Sequence, residues 1–444
     1  MITAPICEFV RRYRYSGALR MHMPGHKGTA LLGPEPLDLT EIEGADVLYH
    51  AEGIIRESEA NAAALFGTKK TVYSAEGSSL CIRAMLYLAL LHAHANHKKP
   101  VIAAGRNAHK VFMTAAALLD LDIRWIYGTE SVISCAITPA QLEDVIVSEN
   151  PAAVYITSPD YLGNIADIKS LSTVCKKHGV LLLVDNAHGA YLHFLPVPMH
   201  PMQLGADICC DSAHKTLPVL TGGAYLHIAH GTPDMFAQRA ESAMALFAST
   251  SPSYLILQSL DAMNPLLATS FPAQLKACAE RLDTLKTKLR AHGYALCGEE
   301  RTKLCLLPKS FGYTGTALAE ILTHHNIYCE FSDADHLVMM FTPETTPADF
   351  ARLERALLSV LPAPAILSKP PAPPHAERVL SPREALFSPS ETLPLSECEN
   401  RIFADANVSC PPAVPLAVCG ERLTPEVISA MEYYGTEHCT VVVE

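Results

Sequence analysis

Short apolar runs punctuate the chain, each followed at once by small or polar residues and then by a stretch of helical periodicity. Residues 101–104 (V-I-A-A), 152–157 (A-A-V-Y-I-T), 180–184 (V-L-L-L-V) and 208–210 (I-C-C) are of this kind. The 180–184 run is apolar on both faces, as suits a central strand of a parallel sheet. Helix formers with apolar residues at helical spacing fill 53–66, where Gly67 is a plausible cap, and helices are also predicted over 80–92, over 111–119 and after Ile168. Strands alternating with helices over 70–230 predict an α/β fold with a doubly wound, mostly parallel sheet. Trp125, the only tryptophan, lies in the apolar run 123–127 and is expected in the core.

Beyond Tyr254 the pattern changes to long helices reaching about residue 293. A compact α/β piece follows, with strands at 303–307 and 336–341 and helices near 317–325 and 347–360. Residues 361–375 (L-P-A-P-A-I-L-S-K-P-P-A-P-P-H) then read as an extended, semi-rigid linker. Pro411-Pro412 and Pro415 argue against long regular elements in the tail. The expected organisation is an N-terminal arm (1–20), amphipathic because arginines alternate with aromatics, a large domain (21–262), a small α/β domain (263–361), the linker (362–375) and a C-terminal α+β domain (376–444).

Charge and composition narrow the function classes. Against 34 basic residues stand 46 acids, a formal net charge of -12, which argues against nucleic acid as a partner and against an anionic membrane surface. The apolar runs fall far short of the ~20 residues needed to span a bilayer, and the charges near the N-terminus do not fit a signal peptide. A soluble, cytoplasmic protein is expected. The fourteen cysteines form no C-x-x-C pair, as suits reduced, mostly buried thiols, and the histidines do not fall at zinc-ligand spacing with them, so no metal is expected.

Candidate chemistry gathers where the strands end. The strand 71–74 leads through Ala75-Glu76 into Gly77-Ser78-Ser79 at a helix start, an arrangement that offers backbone N–H groups to a phosphate, although Ser78 acting as a simple N-cap would look the same. The strand 101–104 is followed by Asn107-Ala108-His109, the strand 180–184 by Asp185, and the run 208–210 by Asp211, Ser212, His214 and Lys215. No G-x-G-x-x-G follows a strand, so a dinucleotide site is not supported. A strand-end lysine, a carboxylate thirty residues before it, a ring-bearing histidine and a phosphate loop are the parts that pyridoxal 5'-phosphate (PLP) requires. The lysine holds the cofactor covalently, and the carboxylate keeps the pyridine nitrogen protonated so that the ring can accept electrons.

These stretches resemble the Orn/Lys/Arg decarboxylase family of PLP enzymes, in a short form without an N-terminal receiver-like domain. The motifs are M-H-M-P-G-H-K-G (21–28), L-D-L-T-E-I-E-G (37–44), the glycine-serine loop, N-A-H-K (107–110), D-N-A-H-G-A (185–190), S-A-H-K-T-L-P (212–218) and T-S-P-S-Y (250–254). G-Y-T-G (312–315), S-P-R-E-A (381–385) and P-P-A-V-P…G-E (411–421) extend the similarity to the C-terminal portion. The resemblance implies a fold type I, transferase-like large domain and a homodimer with its active site at the subunit interface, where the 21–28 segment lies. Lys215 would then hold PLP, Asp185 would pair with its nitrogen, and His109 and Ala187 would cover its two faces. Ser78, Ser79, Ser212 and His214 would line the phosphate pocket with Thr250 of a second subunit, and Gly77 and His188 complete the cofactor-binding set.

The implied reaction is decarboxylation of arginine, lysine or ornithine to the amine used in polyamine biosynthesis, with Lys215 or His214 returning a proton to Cα. Several positions depart from the family pattern: Glu76 for Asn, Asp160 for a small hydroxyl residue, Asn186 for Glu, Tyr191 for His and Gly222 for Gln. Glu76, Asp160 and Glu421 are candidate acceptors for a substrate's distal cation. The rival readings are another PLP reaction on an amino acid, whether transamination, elimination or decarboxylation of a non-basic substrate, and a non-catalytic binding relative. Retention of both Asp185 and Lys215 argues against the last.

Overall fold

A computed structural model describes residues 2–128, 131, 133–406 and 414–443, so Pro411, Pro412 and Ala413 of the last motif lie outside the described residues. In chain order the elements run α1 (Pro5–Arg14), α2 (Ile54–Phe66), β1 (Lys70–Ser74), α3 (Gly77–Ala95), β2 (Val101–Gly105), α4 (Lys110–Leu119), β3 (Asp122–Ile126), α5 (Pro139–Glu149), β4 (Ala153–Thr157), α6 (Ile168–Lys177) and β5 (Leu181–Asp185). They continue as α7 (Pro201–Leu204), β6 (Ile208–Asp211), α8 (Ala213–Thr216), β7 (Ala224–Ile228), α9 (Asp234–Ala245), α10 (Tyr254–Leu267) and α11 (Phe271–His292). The last part comprises β8 (Ala295–Cys297), β9 (Lys303–Leu307), α12 (Gly315–His324), β10 (Phe331–Ser332), β11 (Leu337–Met340), α13 (Pro347–Ser359), α14 (Pro382–Phe387), β12 (Ser390–Pro394), α15 (Pro425–Tyr433) and β13 (His438–Val442).

The fold is mixed α/β with a large, mostly parallel sheet, and the chain divides into two compact units. The first comprises residues 1–97 and 168–275, and the second 98–167 and 276–444. In the first unit the strand order is β1-β7-β6-β5, with β5 and β6 parallel and β7 antiparallel to both neighbours. Every residue of β5, β6 and β7 is buried, the environment that their mainly apolar sequence requires, with Asp185, Asp211 and His227 as buried polar exceptions. Gly67, at φ 63°, ends α2 in the left-handed region that a glycine adopts without strain.

The N-terminal arm is more firmly packed than its arginines suggest. Ile6 and Val10, one helical turn apart, are fully buried, and the Cys7 amide donates to Asp261 Oδ2 at 2.9 Å. Arg11, Arg12 and Arg14 occupy the exposed face, so the helix is amphipathic in the ordinary sense.

In the second unit β4-β2-β3 pair in parallel, and β10-β11-β9-β8 form an antiparallel sheet. Leu282, Leu289, Leu304, Leu306, Leu337 and Leu357 build the core between that sheet and its helices. A smaller core around Leu395, Phe403, Val427 and Met431 holds the β12–β13 ribbon and α15. Residues 361–377 carry no helix or strand. They nevertheless lie along their own unit: Ala363 and Ile366 donate to the Phe311 and Lys309 carbonyls, and His375 stacks on Tyr127 at 3.9 Å.

Trp125 differs from expectation. It is half-buried, with the Arg106 guanidinium carbon 5.1 Å above its ring, because the indole serves as the apolar wall of a buried cation rather than as core filling. Among the described residues the cysteines are free thiols, and no helix is long and apolar enough to cross a membrane.

Candidate active site

In the first unit the phosphate-loop candidates and the lysine segment meet. The Ser212 hydroxyl donates to Ser78 Oγ at 2.7 Å, and the Gly77 amide donates to the Gly222 carbonyl at 2.7 Å. Glu76, not Ser78, is the N-cap of α3, and no side chain caps the helix. That leaves helix-end donors for an incoming anion, where the dipole also favours it. Glu76 turns its carboxylate onto the Ser249 amide at 2.8 Å, which removes the conflict a carboxylate would otherwise create beside a phosphate. Thr250 follows on the same exposed segment between α9 and α10.

Asp185 ends β5 and is 2% exposed. Its Oδ1 accepts from the Ala187 amide at 3.2 Å and faces the Cys210 thiol at 3.7 Å. Lys215 lies in α8, one turn beyond β6, and its Nζ is 3.1 Å from His188 Nε2. His214 is committed elsewhere: its amide and its Nδ1 both face the Gly223 carbonyl, at 3.1 and 3.0 Å, and burial lowers its pKa, so the ring is neutral and donates there. A buried carboxylate, a lysine within reach of an imidazole, paired serine hydroxyls and an uncapped helix start suit PLP.

His109 belongs to the second unit. It is the N-cap of α4, with Nδ1 accepting from the Val111 amide at 3.2 Å. Two candidate acceptors for a distal cation have internal partners. Asp160 accepts from the Asn164 amide and side chain at 2.9 and 2.8 Å, and Glu421 pairs with Arg106 at 3.2 Å and the Val418 amide at 2.7 Å.

A buried cluster around Asp211 was not read as a unit from the sequence. Asp211 Oδ2 accepts from His200 Nε2 at 3.0 Å and His227 Nε2 at 3.1 Å, and Oδ1 accepts from Asn186 Nδ2 at 2.7 Å. Burial opposes the charge on Asp211, but the two imidazoles outweigh it and hold the carboxyl far below the usual range. His200, Cys209 and Asp211 are close enough to suggest a metal site. The hydrogen bonds argue otherwise, because His200 Nδ1 accepts from the Met202 amide; the ring proton therefore sits on Nε2, facing Asp211, with no lone pair there for an ion. The only sequence signal was the polar Asp211 directly after an apolar strand.

The fold and these residues define a PLP-dependent enzyme of fold type I. Residues 4–299 match the family profile of the Orn/Lys/Arg decarboxylase major domain. The chain is 30% identical to an arginine decarboxylase of Bacillus subtilis, over 96% of this chain and 92% of the relative. Among solved structures it resembles the Francisella novicida lysine decarboxylase LdcF (TM-score 0.79, 16% identity, 100% of this chain and 81% of the other). It also resembles the constitutive lysine decarboxylase of E. coli (TM-score 0.77, 16% identity, 100% and 82%). The chain belongs to the Orn/Lys/Arg decarboxylase family and is a PLP-dependent decarboxylase.

Proposed function

We propose that the protein removes the α-carboxylate of a basic amino acid, arginine before lysine or ornithine, and releases the amine and carbon dioxide. The observation that carries this reading is Lys215 beside His188, in the unit that also holds the buried Asp185. When bound, PLP supplies an electron sink for the pair left by the breaking Cα–carboxylate bond. Lys215 would hold the cofactor, and its Nζ, 3.1 Å from His188 Nε2, would carry a proton beside the substrate. His188 exchanges that proton and keeps it within reach of Cα, a role that His214 does not share because it faces the Gly223 carbonyl.

Asp185 keeps the pyridine nitrogen protonated. Gly77, Ser78, Ser79, Ser212 and the start of α3 would bind the phosphate, and Ala187 would pack on the ring. Arginine comes first because the Bacillus subtilis relative that is 30% identical bears that name. A homodimer with Thr250 crossing to the partner site completes the proposal. Support comes from the segment 19–32, which leaves Leu19, Met21, Leu31 and Leu32 largely exposed, Leu32 at 91%. A cytoplasmic enzyme supplying polyamine precursors fits this activity.

The test incubates PLP-loaded protein with arginine, lysine, ornithine and non-basic amino acids, and measures carbon dioxide and amine together. Stoichiometric carbon dioxide and agmatine from arginine is the expected result. Keto-acid formation, or no amine from any basic substrate, would turn the assignment toward another PLP reaction.

A further inference from the structure

The turn after β5 carries two groups of the site, Asp185 and His188, and it is held from behind by Asn186. This asparagine is wholly buried. Its Oδ1 lies over Gly189, where an added Cβ would come within 2.0 Å of it, and its Nδ2 donates to Asp211 Oδ1 at 2.7 Å. The side chain thus spans from the turn to the end of β6, four residues before Lys215. The backbone adds one bond of the same sense, from the Asn186 amide to the Cys210 carbonyl at 2.9 Å.

Asp211 is anchored on its other oxygen by His200, the N-cap of α7, and by His227 of β7. His227 Nδ1 continues the chain to Thr71 Oγ1 in β1 at 2.8 Å, and Thr71 to Thr68 at 2.8 Å. The groups that bond Asp211 are therefore His200, His227, Asn186 and, from its own strand, Cys209, and the Tyr225 hydroxyl of β7 and the Cys81 thiol of α3 also feel its charge. Among the described residues, no lysine or arginine pairs with it.

Resting on the assignment of Lys215 and Asp185 above, we propose that Asp211 is a positioning residue for the cofactor site. Through Asn186 it ties the turn bearing Asp185 and His188 to the strand end that delivers Lys215. A carboxylate at position 186 would face the Asp211 carboxylate at hydrogen-bond distance, so amide and carboxylate form a matched pair.

The experiment measures PLP affinity of the apo-protein by fluorescence titration between about pH 5.5 and pH 8.5, a window chosen to span the protonation of a carboxyl introduced beside the Asp211 carboxylate. Asn186→Asp keeps the volume and adds a charge, and Asn186→Leu keeps the volume and removes the bond. Relative to wild type at each pH, Asn186→Asp is expected to bind about tenfold to a hundredfold more weakly at the alkaline end, the loss of one hydrogen bond to a charged group. It recovers toward the acid end, where the introduced carboxyl is protonated and donates to Asp211. Asn186→Leu is expected to bind weakly at every pH.

Wild-type affinity for both variants, or an Asn186→Asp deficit that does not change with pH, overturns the charged tether. Should Asn186→Asp fail to fold, Asn186→Ser, too short to reach Asp211, replaces it: weakened binding supports the tether and wild-type affinity refutes it. The underlying assignment fails separately, through a Lys215→Ala protein that still binds PLP covalently.

Discussion

Glu421 distinguishes a structural acid from a substrate-binding one. It is 2% exposed and accepts from the Val418 amide at 2.7 Å and from Arg106 Nη2 at 3.2 Å. Arg106 has two further acceptors, the Pro415 and Leu416 carbonyls at 2.7 and 3.0 Å, and lies over Trp125. Burial raises the Glu421 pKa and Arg106 opposes that rise. Glu421→Gln keeps an acceptor for Val418 but loses the charged bond, a cost of about 1.5–3 kcal/mol. Glu421→Ala leaves the guanidinium buried without its counter-ion and should cost about 3–5 kcal/mol. With a denaturant dependence of about 3 kcal/mol per molar urea, the midpoint falls by roughly 0.5–1 M for Gln and 1–1.7 M for Ala. Trp125, the only tryptophan, reports the transition from beside the lost pair. The KM for basic amino acids should stay within about twofold in Glu421→Gln, because a paired internal acid has no substrate cation to receive. A tenfold rise in KM with an unmoved urea midpoint would refute this account and return Glu421 to the substrate site.

Lys215→Ala should abolish turnover and the absorbance of covalently held cofactor, and a variant with normal turnover would remove Lys215 from its role. Gly222 sits at φ +100° with an added Cβ 2.9 Å from the Ala75 carbonyl oxygen, so Gly222→Ala distorts the loop that supports Gly77. A strain of about 1–3 kcal/mol weakens PLP binding by roughly fivefold to a hundredfold in a fluorescence titration, whereas unchanged affinity would show that the loop tolerates the methyl. Burial pushes Glu59 up to about 8, against the Tyr73 amide that bonds it. Between an unfolded value of about 4.3 and that folded value the native chain holds a proton the unfolded chain has released, so this group makes stability fall as pH rises. Glu59→Gln should flatten urea midpoints across that window, and equal slopes in both proteins would refute the assignment.

The alternation of strand and helix was legible because the central strands β2, β4, β5 and β6 are almost wholly buried and therefore written mainly in apolar residues. β5 and β6 needed no partner information to be found, and β9, α12, β11 and α13 fall within a few residues of expectation. The packing of α1 was harder to read. Three arginines dominate its sequence, and only the structure shows that Ile6 and Val10 occupy one buried face. Trp125 illustrates the same limit, since an indole that walls a cation and one that fills a core look alike in a sequence.

The chemistry of the site was legible wherever one segment carries a whole function: a lysine after a strand, an acid after its neighbour, small residues at a helix start. What was missing depends on pairs far apart in the chain. Asn186 and Asp211 are separated by twenty-five residues and His227 by sixteen more, and no local pattern links an asparagine that departs from a family motif to an acid on the next strand. The departures at 76 and 186 therefore have different physical meanings. Glu76 turns to the Ser249 amide, outward from the loop, whereas Asn186 exists in balance with a buried charge, so substituting it probes the cofactor site from behind without touching any residue assigned to the cofactor itself.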